Sequence, residues 1–149
     1  MHRFAFQYLD RWIQFRRRKP LVLRGARQVG KSTLVKLFAD QQKFKLNEVN
    51  LERHLELESV FATLDTAAIR GELESLVGRS INEGGSLLFL DEIQATPSAL
   101  PALRYLYEDL PDIPVIAAGS LLEFVLADHN FSMPVGRIEY YHLGPMTFR

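Results

Sequence analysis

Apolar residues fall at helical spacing in "FAFQYLDRWIQFRR", where Phe6, Leu9, Trp12 and Ile13 can share one face. Pro20 ends that helix. "LVL", Leu21 to Leu23, then reads as a compact buried strand. A helical pattern resumes at Lys31 through Leu34, Leu37 and Phe38. "LNEVNLE", Leu46 to Glu52, alternates as a second strand does. In "AAIRGELESLVG", Ile69, Leu73, Leu76 and Val77 predict an amphipathic helix that Gly78 stops. "SLLFLDEI" is a near-continuous apolar run, as a parallel strand buried on both faces reads. "TPSALPALRYLYEDL" opens with a Thr–Pro helix-start signal, and Pro101 is early enough to sit in a first turn. "IPVIAAGS" is a further buried strand, "LLEFVLADH" a helix, "FSMPVGR" a loop and "IEYYHL" a last strand.

Strand and helix therefore alternate after an opening helix. That order predicts an α/β fold with a parallel sheet and helices on both faces. Its crossovers are expected to be right-handed. The 149 residues suit a single domain. Composition changes this picture little. The chain has no cysteine, which excludes disulfides and thiolate metal sites and fits a reducing compartment. "MHRFAFQYLDRW" lacks a signal-peptide core. "VIAAGSLLEFVLA" is too short to span a bilayer and carries Glu123. The expectation is a cytoplasmic protein with no membrane partner.

Candidate chemistry starts between the first strand and second helix. Gly25, Ala26, Arg27, Gln28, Val29, Gly30, Lys31 and Ser32 satisfy G-x-x-x-x-G-K-[ST], with Thr33 following. Glycines let backbone N–H groups turn inward as an anion nest, and the next helix adds its positive end. Lys31 would meet the β- and γ-phosphates, and the Ser32 hydroxyl would ligate Mg²⁺. The plainer alternative is a glycine-rich turn capping a helix beside an exposed lysine.

Asp91 and Glu92 end the third strand, where ligand sites of open α/β sheets lie. Asp91 would hold the magnesium through its waters, and Glu92 would orient or deprotonate an attacking water. A solvated strand exit would also carry acids. Ser120 ends the next buried strand and could contact the γ-phosphate or the water; helix capping is its alternative.

Charge is divided along the chain. Residues 1–45 hold twelve Lys and Arg against two Asp, while the remainder holds six against sixteen acids. "RRRK", Arg16 to Lys19, is either a nucleic-acid surface or a helix end whose cations complement the dipole.

Together "GARQVGKST", "LLFLDEIQ", "VIAAGS" and "PVGR" resemble the AAA+ ATPase core over nearly the whole chain. "RGARQVGKSTL", "AGSLLEF" and "LGPMTF" are similar to one prokaryotic group of AAA-family ATP-binding proteins with an uncharacterised C-terminal domain. The resemblance implies a P-loop NTPase three-layer sandwich, its five parallel strands ordered 5-1-4-3-2. It implies ATP rather than GTP, with Mg²⁺, and a trans-acting arginine at Arg137 in a homo-oligomer. Members of the group continue past "LGPMTF", so residues 1–149 are expected to be the ATPase core without its lid and C-terminal domain. The first helix and Trp12 are candidates to lie near the adenine. An ATP-gated switch with little turnover, and a nucleic-acid-binding module using Arg16 to Lys19, remain alternatives to an ATPase.

Overall fold

The computed structural model describes residues 3–14, 18–25, 30–119 and 138–142. Ala26 to Val29, Ser120 and Arg137 lie outside the described residues, as do the expected helix "LLEFVLADH" and loop "FSMPVGR".

Helix α1 spans Arg3–Gln14. Ala5, Leu9 and Trp12 are buried, with Phe6 and Ile13 partly so, as the spacing requires. The chain turns back at Lys19, whose carbonyl accepts from Trp12 Nε1 at 2.7 Å. Strand β1, Leu21–Arg24, follows directly, with Leu21, Val22 and Leu23 all fully buried. Helix α2, Lys31–Gln42, ends at Lys43, where φ is 60° and Phe44 N–H donates back to the Ala39 carbonyl at 2.9 Å.

Strand β2 spans Lys45–Asn50, so it begins one residue before the expected stretch and gives way to a 3₁₀ turn at Leu51–Arg53. A short helix the periodicity did not predict, α3, covers Leu57–Ala62. Helix α4, Thr66–Val77, is capped by the Asp65 carboxylate, which accepts from the N–H groups of Ala67 and Ala68. It stops at Gly78, whose φ of 76° is left-handed backbone that favours glycine. Ile69 and Leu73 are buried as expected, but Leu76 is 41 % exposed. The buried stripe of α4 is narrower than the sequence pattern.

Strand β3, Ser86–Asp91, is buried throughout except at its final aspartate. After a 3₁₀ turn at Ile93–Ala95, helix α5 covers Ala99–Asp109. It starts three residues after Thr96, so the Thr–Pro pair lies in the approach rather than in the first turn. Strand β4, Val115–Gly119, is fully buried, and β5 covers Glu139–His142.

All pairings are parallel. β3 lies between β2 and β4, and β1 pairs with β4, so β1 to β4 take the expected spatial order 1-4-3-2. β5 pairs along the outer edge of β1, giving β2-β3-β4-β1-β5. Tyr8 of α1 donates a hydrogen bond to Glu139, and its ring centroid lies 4.4 Å from that of Tyr141. These contacts hold β5 against α1.

Strand alternation divides the core. Leu21, Leu23, Leu87, Phe89, Ile116 and Ala118 face α1 and α2. Val22, Val49, Leu88, Leu90, Val115 and Ala117 face α3, α4 and α5. Two helical layers therefore cover one sheet, the α/β arrangement expected. Removing the Phe38 ring between α2 and the sheet leaves a cavity that rigid strands cannot close. Phe38→Ala is expected to lower unfolding free energy by about 3–5 kcal/mol in urea titrations. Leu76→Ala is expected to cost about 1 kcal/mol or less.

Candidate functional site

Parallel strands bring their C-terminal ends to one edge of the sheet. β1 ends beside β4, with Arg24 opposite Gly119, and β3 ends beside β2, with Asp91 opposite Asn50. Gly25, Asp91 and Gly119 are thus collected at that edge by topology alone.

Gly25 has φ 150° and Gly30, the residue capping α2, has φ 82°. Both values suit glycine, and the second is left-handed backbone. Helix α2 opens immediately with Lys31, so the N–H groups of its first turn have no intrahelical partner. Lys31 is 7 % exposed, and its Nζ donates to the Gly25 carbonyl at 3.0 Å. The ammonium therefore folds back over the start of the loop instead of extending into solvent. The expected alternative, an exposed lysine beside a capping turn, does not describe this side chain. Ser32 is half-buried in the first turn, whereas Thr33 is exposed.

Asp91 ends β3 at the same edge of the sheet. Burial raises its pKa most. The Glu92 N–H, which donates to Asp91 Oδ1 at 2.9 Å, opposes that shift. The charges of Glu92 and Glu48 push the pKa further up, and that of Lys31 pulls it down. Asp91 and Lys31 thus feel each other's charge. Glu92 adopts φ 54°, ψ 49°, left-handed backbone that non-glycine residues rarely occupy. Such strain costs on the order of 1–3 kcal/mol and persists only where the surroundings impose it. Its carboxylate accepts from Gln94 Nε2 at 3.3 Å.

Gln94 has no counterpart in the sequence reading. Its position two residues after Glu92, and a small residue ending the neighbouring strand, were the only signals. Trp12 also differs from expectation. It is 1 % exposed and bonded to Lys19, so its ring fills the core rather than facing a base. In the basic run, Arg18 Nη1 donates to the Ile13 carbonyl at 3.2 Å near the end of α1. Burial lowers the Arg18 pKa, while the Asp112 charge raises it. Arg18 thus sits as a cation at the helix end, while Arg16 and Arg17 of that run lie outside the described residues.

A family model described as an AAA domain matches residues 17–149, and the chain belongs to that family. Membership points to ATP binding and to ATPase activity. A search of curated proteins found no match. Among the described residues, no helix is long and apolar enough to cross a membrane.

The raised pKa of Asp91 has a thermodynamic consequence. Below the ordinary aspartate pKa of about 3.9 the carboxyl is neutral in both folded and unfolded chains. As pH rises past that value, the folded state is disfavoured, because it holds the proton longer. Asp91→Asn keeps the acceptor for Glu92 N–H and removes the charge. The nucleotide-free variant is therefore expected to melt above the wild type at pH 7, with the gap closing toward pH 4. A lower melting temperature at pH 7 would contradict this account.

Proposed function

We propose that this chain binds ATP with Mg²⁺ and hydrolyses it, using a P-loop NTPase sandwich of the AAA type. The observation that carries the reading is Lys31: a buried ammonium at the mouth of α2, bound to Gly25 and within electrostatic reach of Asp91. A buried cation between a glycine-flanked loop and a carboxylate suits a ligand that bears many negative charges.

The residues take the following roles in this reading. Gly25, Ala26, Arg27, Gln28, Val29 and Gly30 present backbone N–H groups to the phosphates, and Lys31 supplies charge to the β- and γ-phosphates. Thr33 follows in the same turn and is exposed, which suits a position at the rim. Ser32 and Asp91 offer oxygen donors alone, which suits a hard divalent ion bound through few protein ligands and several waters. Bound Mg²⁺ would supply charge neutralisation at the phosphate oxygens. Glu92 accepts a proton from the attacking water or orients it. Ser120 senses the γ-phosphate from the end of β4. Arg137 reaches the phosphates of a neighbouring copy, which makes the active species a homo-oligomer. A cytoplasmic location fits the absence of cysteine from the sequence.

Equilibrium binding and turnover of ATP, with and without Mg²⁺, test this reading. Lys31→Ala is expected to abolish binding of MgATP. Glu92→Gln is expected to bind it and to lose about 10²–10⁴ in rate, the usual contribution of a general base. Turnover per subunit is expected to fall steeply on dilution, because arginine fingers contribute about 10³–10⁵. Equal binding by wild type and Lys31→Ala would refute the phosphate site. Wild-type binding with no turnover at any concentration would leave an ATP-gated switch.

A further inference from the structure

The side-chain amide of Gln94 occupies a position between two strand ends that no other feature of the site explains. Its Nε2 donates to Glu92 Oε2 at 3.3 Å. Its Oε1 is buried and has no hydrogen-bond partner among the described residues. The amide is therefore not placed to satisfy its own acceptor. It cannot be reversed either, because an oxygen would then meet the carboxylate oxygen of Glu92. On the far side stands Gly119, the last residue of β4. A Cβ there would come within 2.5 Å of Gln94 Oε1 and 3.2 Å of Ile93 Cγ2. A side chain at residue 119 would displace the Gln94 amide from the space it fills.

We propose that Gln94 is a positioning residue for Glu92, its N–H fixing the Glu92 carboxylate while its packing against Gly119 ties that carboxylate to the end of β4. Glu92 lies just past the end of β3. Its left-handed backbone takes it out of the alternation of β3, so the strand no longer dictates where its side chain points. A carboxylate that must meet a water within hydrogen-bond reach gains from a partner that fixes its rotamer. The path from β4 through Gln94 to Glu92 links the strand that ends at Gly119 with the residue read here as the base. The inference rests on the ATPase reading only for the role of Glu92, because the tether can be observed without nucleotide.

The test combines two substitutions and two readouts. Gln94→Leu removes the donor. Gly119→Ala leaves Gln94 in place but pushes the end of its flexible side chain away from β4. Both variants are expected to bind MgATP with wild-type affinity and unchanged KM, and to lose about 10- to 100-fold in kcat. The pair of substitutions together is expected to lose no more than Gln94→Leu alone. Full kcat in both variants, or a loss confined to KM, would overturn the proposal. If Gly119→Ala does not fold, Gln94→Leu carries the kinetic arm.

The second readout is the Gln94 side-chain amide signal in nitrogen–proton NMR spectra of the nucleotide-free protein, assigned by its loss in Gln94→Leu. It is expected to move in Glu92→Ala. A signal that stays in place there would remove the tether, whatever the kinetics. Should the wild type bind ATP without turning it over, the hydrolysis reading falls while the NMR result still decides the tether.

Discussion

A buried ammonium has to be compensated, and in this chain Lys31 is compensated by the loop that precedes it. Its Nζ reaches back six residues to the Gly25 carbonyl. That bond ties the first residue of α2 to the residue that follows β1, and burial makes it worth keeping. The rest of the edge is arranged around this charge. β1 delivers Gly25 from a strand whose first three residues are buried, and β3 delivers Asp91 from one buried up to that residue, so neither can move without disturbing the sheet. The lysine thus sits on a rigid frame while the groups it would meet come from different segments.

The acids across from it form the opposing half of the same electrostatic design. Asp91 is pushed toward its neutral form by burial and by Glu92 and Glu48, and only Lys31 among the named side chains pulls it back. Glu92 is held in left-handed backbone. Each arrangement costs the empty protein stability. A carboxylate with a raised pKa and a strained backbone, met at one sheet edge, are features that often gather at functional sites. That edge lies within the residues 17–149 matched by the AAA domain family.

Much of this was readable from the chain because its strongest signals are local. The buried runs at Leu21–Leu23, Ser86–Leu90 and Val115–Gly119 announce central parallel strands, and the lysine of the glycine loop falls where the strand-to-helix turn puts it. Helix α3 was not legible: it has six residues, and its two buried side chains, Leu57 and Phe61, give a single repeat of the helical period. Leu76 shows the converse, an apolar residue at the right spacing that tertiary packing leaves half outside. Gln94 was invisible because its meaning depends on Gly119, 25 positions further along and adjacent only after β3 and β4 pair. Trp12 sits in the core with its indole N–H on the Lys19 carbonyl, as the apolar face of α1 implies and a place beside an adenine does not.

Amide hydrogen exchange of the whole chain with and without MgATP tests the central claim most directly, because it reads the loop and both strand ends at once. The account predicts slowed exchange for backbone amides within residues 25–33, with AMP giving no such protection because it lacks the β- and γ-phosphates. Unchanged exchange across residues 25–33 under saturating MgATP, or protection confined to other parts of the chain, would contradict it.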